Sequence, residues 1–325
     1  MSTDVPLVAT TRRQRAPDFF IVGHPKCGTT ALYEMLRHRE AIFMPSLKEP
    51  QFFSREMRTG TRPARLPDTL DDYLALFAPA RADQILGEAS PSYLRSATAA
   101  ALIAELQPAA RVVAILREPA SFLRSLHLQF LRNHVESERD FGKAISLEEA
   151  RRGGSRMPRD SHRPADLFYS EHVRYVDQLR RYHAVLSREQ VLVLIYDDFR
   201  ADNEGTVRSV LRFLDVDDSG DIDVLDANPS VRLRSGQMEN AVKGLPGGHG
   251  GIARAARVPV KALTSQRLRH GALRFARRRL LYTEPAAPDD ILMRELRHRF
   301  KGEVVALGEY VGRDLVSLWG YGSID

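Results

Sequence analysis

The sequence predicts a three-layer α/β protein in which a central parallel β-sheet is flanked by helices. Three observations lead to this prediction. Short, wholly apolar segments alternate with amphipathic segments along the chain, which is the order that parallel sheets with helical crossovers require. The apolar segments are rich in valine, isoleucine and leucine, as buried strands are. A glycine, an arginine or a tyrosine then stands at or directly after the end of such a segment, where ligands bind in these folds.

The strands are predicted from four apolar runs. They are Phe19–Gly23, Ile85–Ala89, Val112–Leu116 and Val191–Tyr196. Each is four to eight residues long, which suits a strand buried on both faces better than a helix.

The helices are predicted from apolar periodicity and from proline positions. The segments are 28–38, 99–106, 119–132, 168–182 and 204–214. Pro119 stands in a first helical turn, where its missing N–H has no cost, and Pro108 stops the segment before it. Residues 151–164 are rich in glycine, arginine and proline, so they are predicted to form a loop.

The bulk composition predicts one globular domain. The chain has 325 residues, of which 43% are hydrophobic, enough for one large core. We expect residues 1–17 to form a flexible arm and residues 18–325 a single domain. No apolar run is long enough to cross a bilayer, and the first residues lack the apolar stretch of a secretory signal. The single cysteine, Cys27, fits a reducing compartment, so a cytoplasmic location is expected.

Positive charge is concentrated in one part of the chain. The formal net charge is +6, which favours anionic ligands without indicating nucleic acid. From Asn240 to Thr283 there is no aspartate or glutamate, while ten lysines and arginines occur there. This basic stretch is predicted to form a helical lid or subdomain. It is either a solvated helical face or a surface that attracts an acidic ligand or a membrane.

The segment Gly23-His-Pro-Lys-Cys-Gly-Thr-Thr30 carries the strongest functional signal. It lies between a predicted strand and a predicted helix, which is the context of a phosphate-binding loop. Backbone N–H groups and the positive end of the helix dipole face the anion in such a loop. Cys27 stands near the start of this helix, where the pKa of a thiol can be lowered.

This loop departs from the nucleoside-triphosphate pattern. The spacing of Gly23 and Gly28 agrees with that pattern, but Thr29 follows where a lysine is required. The lysine is instead inside the loop, at Lys26. The contenders for magnesium ligands, Asp197 and Asp198, are better interpreted as helix-capping or turn residues, so no metal site is predicted.

The loop resembles the 5′-phosphosulfate-binding loop of sulfotransferases that use 3′-phosphoadenosine 5′-phosphosulfate (PAPS). The matching residues are Pro25, Lys26, Gly28, Thr29 and Thr30, with Cys27 at the variable position. The resemblance implies that these six residues bind the donor and that its product, adenosine 3′,5′-bisphosphate (PAP), leaves the same site.

A second segment resembles the 3′-phosphate motif of the same family. After the strand ending at Leu116 come Arg117, a proline two residues later, and Ser125 on the following helix. An arginine presents a planar fork to a phosphate monoester, and a serine adds a hydrogen-bond donor. Arg117 and Ser125 are therefore predicted donor-binding residues.

Further segments resemble the branch that contains the heparan-modifying Golgi sulfotransferases and bacterial relatives. They are Lys48–Phe53, Gly87–Tyr93, Leu211–Leu214 and Gly312–Trp319. The resemblance implies the P-loop-like sulfotransferase fold and direct in-line transfer of a sulfuryl group from PAPS to a hydroxyl or amine.

The resemblance implies two catalytic residues. Lys26 would stabilise the leaving phosphate as a general acid or a fixed cation, or would only bind phosphate. Glu49 would be the base, or only the ion-pair partner of the adjacent lysine. His24 and His127 are alternative bases, and Glu88 is a second carboxylate that could contact the acceptor.

Two other functions compete with sulfuryl transfer. A nucleotide kinase would need a lysine at Thr29 and a magnesium carboxylate. A non-catalytic nucleotide- or polyanion-binding protein would make Glu49 dispensable and would show steep salt dependence. The acceptor is left open, since a glycan, a lipid and a secondary metabolite are all compatible with these motifs, and the sequence does not define the oligomeric state.

Overall fold

The computed structural model of the chain describes residues 15–57, 66–158, 163–224 and 289–323, together with two short strands at 232–233 and 282–283. The chain divides into two compact units, the first made of 1–122, 168–228 and 295–325 and the second of 123–167 and 229–294. The single domain over 18–325 stays a prediction. The basic stretch 240–283 lies outside the described residues except for the strand at 282–283.

A five-stranded parallel sheet forms the centre of the first unit. Its strands are β1 Phe19–Gly23, β2 Ile42–Phe43, β3 Ile85–Ala89, β4 Arg111–Leu116 and β5 Val191–Ile195. They are arranged in the order β2-β3-β1-β4-β5, and every neighbouring pair is parallel. The predicted fold class is therefore confirmed.

The strand register brings the functional segments to one edge of the sheet. Ile21 pairs with Ala89, Gly23 with Ile115, and Leu116 with Ile195, so β1, β3, β4 and β5 end side by side. From β1 the chain first builds β2 and β3 on one side and then crosses to β4 on the other. This reversal opens the crevice where doubly wound sheets bind ligands.

The described residues form helices in both units. They are α1 Thr29–Arg37, α2 Leu70–Ala75, α3 Ser92–Arg95, α4 Ala99–Leu106, α5 Pro119–Arg132, α6 Phe141–Ser146, α7 Glu148–Arg152, α8 Tyr169–His172, α9 Tyr175–His183, α10 Tyr196–Ala201, α11 Asn203–Phe213, α12 Asp290–Val311 and α13 Leu315–Leu318. Strand β1 is buried along its whole length, and Val112–Leu116 of β4 has no exposed surface. The core of the first unit thus lies along its two central strands.

The observed bounds of the predicted elements agree with the prediction to within one residue, except that the single helix over 168–182 is wrong. The chain breaks between α8 and α9, and both amide hydrogens of the Gln178 side chain are used at the break. Its Nε2 donates to the carbonyl oxygens of Glu171 and His172 at 3.1 and 3.3 Å. These carbonyl oxygens would otherwise lack hydrogen-bond donors at a buried helix end, so a buried glutamine makes the break possible.

The long helix α12 was not predicted, although its sequence carries the signal. Buried side chains recur three or four residues apart along it, at Met293, Leu296, Phe300, Val304 and Leu307. That spacing is the apolar stripe of an amphipathic helix. Within the described residues, no helix has the length and apolar character needed to cross a membrane.

The second unit contains α6 and α7, and a two-stranded antiparallel pair, β6 Arg232–Leu233 and β7 Tyr282–Thr283. A buried ion pair organises its helices. Arg151 donates from both terminal nitrogens to the two carboxylate oxygens of Glu136, each at 2.8 Å. Such a pair must keep both partners, because removing one leaves an uncompensated buried charge.

Candidate active site

The loop between β1 and α1 is shaped by two glycines. Gly23 has φ +143, and a Cβ there would lie 2.7 Å from the carbonyl oxygen of Ile115 on the neighbouring strand. Gly28 has φ +89 and precedes α1 without a side chain to cap it. The first N–H groups of α1 are therefore directed out of the helix, and together with the helix dipole they favour an anion.

Lys26 and Arg117 meet at this loop. Lys26 has φ +72, an uncommon backbone conformation for a residue with a side chain. Arg117, directly after β4, donates from Nη1 to the carbonyl oxygen of Lys26 at 3.1 Å. The guanidinium also lies over the ring of Tyr196, 4.8 Å from its centre. The structure thus places the guanidinium of one predicted donor motif against the backbone of the other.

The other residues of the loop differ in accessibility. Thr29 is buried and Thr30 is exposed at the start of α1, while Pro25 is half-buried. Cys27 is fully buried, and burial raises the pKa of its thiol to about 12. The expectation of a lowered thiol pKa is therefore wrong, because the cost of burying a thiolate exceeds the effect of the nearby cations.

Ser125 is on α5 and belongs to the second unit. Its side chain is buried, with 4% of the residue exposed. The assignment of Ser125 to donor binding stays a prediction.

Neither histidine proposed as an alternative base is accessible. His24 is 1% exposed and forms a 2.7 Å hydrogen bond between Nε2 and Oε1 of Gln178. Burial lowers its pKa to about 3, so the ring is neutral and Nε2 is the donor. His127, in the second unit, is 2% exposed and its Nε2 bonds to the carbonyl oxygen of Glu138 at 2.8 Å. Both rings are used in packing, which argues against their acting as the base.

Glu49 is on a segment with an unusual backbone. It has φ +60, and Gln51 has φ +52. Residues with side chains adopt such conformations when the surroundings impose them, and they occur most often at functional sites. The Glu49 side chain is 42% exposed, so it is accessible from solvent.

Lys48 forms an ion pair with Glu49, with 2.5 Å between Nζ and Oε1. This is the contact that the alternative interpretation of Glu49 requires. It is also compatible with catalysis, because a cation beside a carboxylate orients it. The geometry therefore leaves both roles of Glu49 in place.

Glu88 lies at the end of β3 and is completely buried. Its Oε2 accepts a hydrogen bond from the hydroxyl of Tyr73 at 2.9 Å. Burial raises the pKa of its carboxyl group to about 7, although the hydroxyls of Ser90, Tyr73 and Tyr93 oppose the rise. A carboxyl group without exposed surface cannot touch an acceptor, so the expectation of direct acceptor contact is wrong.

The two aspartates after β5 serve the fold. Asp197 accepts a hydrogen bond from Nε1 of Trp319 at 2.9 Å. Asp198 accepts two hydrogen bonds from the guanidinium of Arg313. Both carboxylates lie in the first turn of α10 and bind side chains of the segment after α12, and the expectation that they hold no metal stays a prediction.

The same segment also reaches the second donor motif. The hydroxyl of Tyr321 donates to Oε1 of Glu118, the residue after Arg117. Glu118 in turn accepts the backbone N–H groups of Ala120 and Ser121 at 3.0 and 2.6 Å, which caps α5. Residues 313–321 therefore form a brace, joined to the carboxyl ends of both β4 and β5.

Sequence reasoning placed Tyr196 at the ligand-binding edge of the sheet without giving it a role, and it missed Phe199. Tyr196 lies under the Arg117 guanidinium, and the Phe199 ring lies 2.9 Å from where a Cβ on Gly28 would be. The available signal was their position, since both follow β5 at the edge of the sheet where Gly23 and Arg117 also stand.

The chain was compared with known families, proteins and structures. The family model described as "Sulfotransferase domain" matches residues 16–240. This range contains the loop after β1, the Glu49 segment and the Arg117 motif.

The similar curated proteins are carbohydrate-modifying enzymes by name. Carbohydrate sulfotransferase 15 of Mus musculus is 28% identical over 251 residues, 62% of this chain and 44% of that protein. Heparan sulfate glucosamine 3-O-sulfotransferase 6 of Homo sapiens is 33% identical over 130 residues, 39% of this chain and 34% of that protein. The chain thus spans less than half the length of these relatives.

A solved structure shares the fold over nearly the whole chain. A sulfotransferase from Alicyclobacillus acidocaldarius has a TM-score of 0.66 and 24% sequence identity, covering 93% of this chain and 98% of its own.

Proposed function

The chain belongs to the sulfotransferase family, and from this premise we propose that it transfers a sulfuryl group from PAPS to a hydroxyl group of a carbohydrate acceptor. The observation that carries the proposal is the 3.1 Å hydrogen bond from Arg117 to the Lys26 carbonyl. It joins two cationic motifs at the switch point of the sheet, where a donor with two separate phosphate groups needs them.

The residues of the loop fit such a donor. The uncapped start of α1 offers N–H groups and a positive dipole. A Cβ on Gly28 would push into Phe199, so the backbone keeps its close approach only with glycine. Arg117 adds a planar fork for a phosphate. PAPS supplies a sulfuryl group attached to a good phosphate leaving group.

Lys26 is the residue proposed to assist departure of the phosphate. The S–O bond to the phosphate breaks while a bond from sulfur to the acceptor oxygen forms, and negative charge develops on the phosphate oxygen. An ammonium group beside that oxygen stabilises the charge or donates a proton to it. Its position is fixed through the backbone, because Arg117 holds the Lys26 carbonyl.

Glu49 is the residue proposed to receive the proton of the acceptor. Its side chain is partly exposed and is held by Lys48. Proton removal makes the acceptor oxygen a better nucleophile as it attacks sulfur. The strained backbone at Glu49 supports a functional role, since a surface ion pair alone does not need it.

The names of the relatives support the acceptor class. One relative is named for carbohydrate and another for the glucosamine of heparan sulfate. A hydroxyl-bearing glycan is therefore the proposed acceptor.

Donor binding is tested by titrating the protein with PAP in a calorimeter, with EDTA present. We expect micromolar binding that Lys26→Ala and Arg117→Ala both weaken. Absence of PAP binding together with binding of ATP and magnesium would instead favour a kinase-like enzyme.

Transfer is tested with ³⁵S-labelled PAPS and two probes, desulfated heparan sulfate and chondroitin. Glu49→Gln should abolish labelling while it keeps PAP affinity. The matched control is Glu40→Gln, which removes a carboxylate that is 90% exposed. Equal labelling by wild type and Glu49→Gln would exclude Glu49 as the base.

A further inference from the structure

The segment that carries Glu49 is held by a dense set of backbone hydrogen bonds. The N–H of Glu49 donates to the carbonyl oxygen of Ala89 at 3.1 Å, and that of Gln51 to the hydroxyl of Ser90 at 3.2 Å. The N–H groups of Phe52 and Phe53 both donate to the Tyr93 hydroxyl. Four N–H groups of residues 49–53 are therefore bound by residues 89–93.

These hydrogen bonds hold the segment in a strained backbone conformation. The positive φ angles of Glu49 and Gln51 are energetically unfavourable relative to an ordinary backbone conformation. The segment would relax without partners, and the Glu49 carboxylate would move with it. Whatever fixes the acceptors of these N–H groups consequently fixes Glu49.

The buried carboxyl group of Glu88 lies among those acceptors. Ser90 and Tyr93, which bind the segment, are close enough to influence it. Tyr73 donates to it at 2.9 Å, and the Tyr73 ring stacks on Phe52 with 4.6 Å between ring centres and 11° between planes. Within the described part of the chain, the Glu88 Oε1 atom is buried without a hydrogen-bond partner.

We propose that Glu88 is a positioning residue for Glu49, because its buried carboxyl group fixes the tyrosine and serine side chains on which the 49–53 segment rests. This inference depends on the proposed role of Glu49 for its catalytic meaning. The structural part of the inference does not depend on that role, since it concerns only the conformation of the segment.

The neutral form of Glu88 is the one that suits this role. The groups that act on the carboxyl are Tyr73, Ser90, Tyr93 and the carboxylate of Glu49. The pKa of Tyr182 is raised by burial and also by the nearby Glu88. None of these is a cation. An ionised Glu88 would be a buried charge that repels the carboxylate of Glu49, whereas a neutral one keeps its hydrogen bonds at no such cost.

The test is hydrogen–deuterium exchange with mass spectrometry on the full chain, read on the peptide that covers residues 48–53. Three variants are compared with wild type, namely Glu88→Ala, Glu88→Gln and Tyr73→Phe. The matched control is Tyr310→Phe, which loses a partly buried tyrosine hydrogen bond of 2.6 Å, to Nδ1 of His183, that involves none of residues 49–53 or 88–93. PAP affinity and the kinetics of transfer from labelled PAPS to desulfated heparan sulfate are measured in parallel.

Glu88→Ala should accelerate exchange of the 49–53 amides by about tenfold, because the acceptors of those amides lose their support. It should lower kcat while leaving PAP affinity and the KM for PAPS unchanged. Tyr73→Phe should shift exchange in the same direction by a smaller factor. Glu88→Gln, which is neutral and of the same shape, should restore slow exchange and most of kcat at pH 6.5. Tyr310→Phe should leave exchange of the peptide unchanged.

Unchanged exchange of the 49–53 amides in Glu88→Ala would overturn the proposal. So would a Glu88→Gln variant as damaged as Glu88→Ala, because a neutral isostere would then be insufficient. A wild-type protein that fails to bind PAP contradicts the proposed function, whereas the exchange result decides the positioning role by itself.

Discussion

Nη1 of Arg117 and the carbonyl oxygen of Lys26 are joined by a 3.1 Å hydrogen bond across 91 residues of sequence. The bond links the end of β4 to the loop after β1, so one donor motif helps to hold the other. A change at Arg117 therefore acts twice, through the lost guanidinium and through the loosened loop.

Arg117→Ala should raise the dissociation constant of PAP by about 10- to 100-fold, which is the size expected for a lost charge-assisted hydrogen bond. Arg117→Lys should fall between wild type and alanine, because it keeps the charge but not the fork. Calorimetry measures both. The control is Arg188→Ala, an exposed arginine that lies over Tyr310 away from the loop, and equal affinities of all four proteins would refute the assignment.

Gly28→Ala should destabilise the fold by about 2 kcal/mol or more and weaken PAP binding. The φ of +89 disfavours any side chain, and a Cβ would lie 2.9 Å from the Phe199 ring. Gly302→Ala is the matched control, since a Cβ at that position of α12 has open space around it. It should stabilise the protein by about 0.5–1 kcal/mol. Urea denaturation measures the free energy of unfolding of both variants. A Gly28→Ala variant as stable as wild type would contradict the strained geometry.

The stability of Glu88→Gln, compared with that of wild type, should increase as the pH rises. The folded pKa of Glu88 is about 7, against an ordinary value of 4.5, so wild type loses stability between those two pH values as the buried group is forced to ionise. The free energy of unfolding of the variant, relative to wild type, should therefore increase by roughly 2–3 kcal/mol from pH 5 to pH 8. Urea denaturation at both pH values measures this. Glu40→Gln, the exposed control, should show the same pH dependence of unfolding free energy as wild type. The same pH dependence in Glu88→Gln and wild type would show that the Glu88 carboxyl is not buried in an ionisable form.

Cys27 should resist alkylation in the folded protein. Its pKa of about 12, against an ordinary 9.0, lowers the thiolate fraction at pH 8 by roughly a thousandfold, and burial blocks the reagent as well. Iodoacetamide labelling followed by mass spectrometry should detect modification only after addition of guanidinium. Fast labelling without denaturant would mean that the loop opens in solution.

Asp198→Asn should leave sulfuryl transfer unchanged in the presence of EDTA. The Asp198–Arg313 pair is partly exposed, so its loss should cost about 1 kcal/mol or less. Labelled-PAPS transfer and urea denaturation test the two statements. A magnesium requirement that disappears in this variant would identify Asp198 as a metal ligand.

The sequence was sufficient for the parts of the fold that depend on local pattern. Strand β1 and helix α4 have the predicted bounds, because a fully apolar run defines the first and a proline stop the second. Strand β3 also has the predicted bounds, although its run contains Glu88. The two-residue strand β2 escaped prediction, since so short an element depends on its pairing with β3 and not on its own pattern. The break before α9 depends on Gln178 reaching back to two carbonyls, a contact that no local rule describes.

The candidate site was predictable where a motif stands on consecutive residues. The loop with Lys26 and the strand end with Arg117 were identified in this way, and their contact followed from strand order. The ionisation of Cys27, His24 and Glu88 was not predictable, because it depends on burial. Glu88 and Glu49 are both carboxylates at the ends of short segments, yet only the structure separates the buried one from the exposed one.

The brace formed by residues 313–321 has a consequence for biosynthesis. Tyr321 and Glu118 are 203 residues apart, and Trp319 and Asp197 are 122 apart. The loop with Lys26 and the Arg117 motif leave the ribosome long before the residues that secure them. The contacts that hold the proposed donor site in a nascent chain therefore form only after residues 313–321 have been synthesised, and contacts of this sequence separation form slowly.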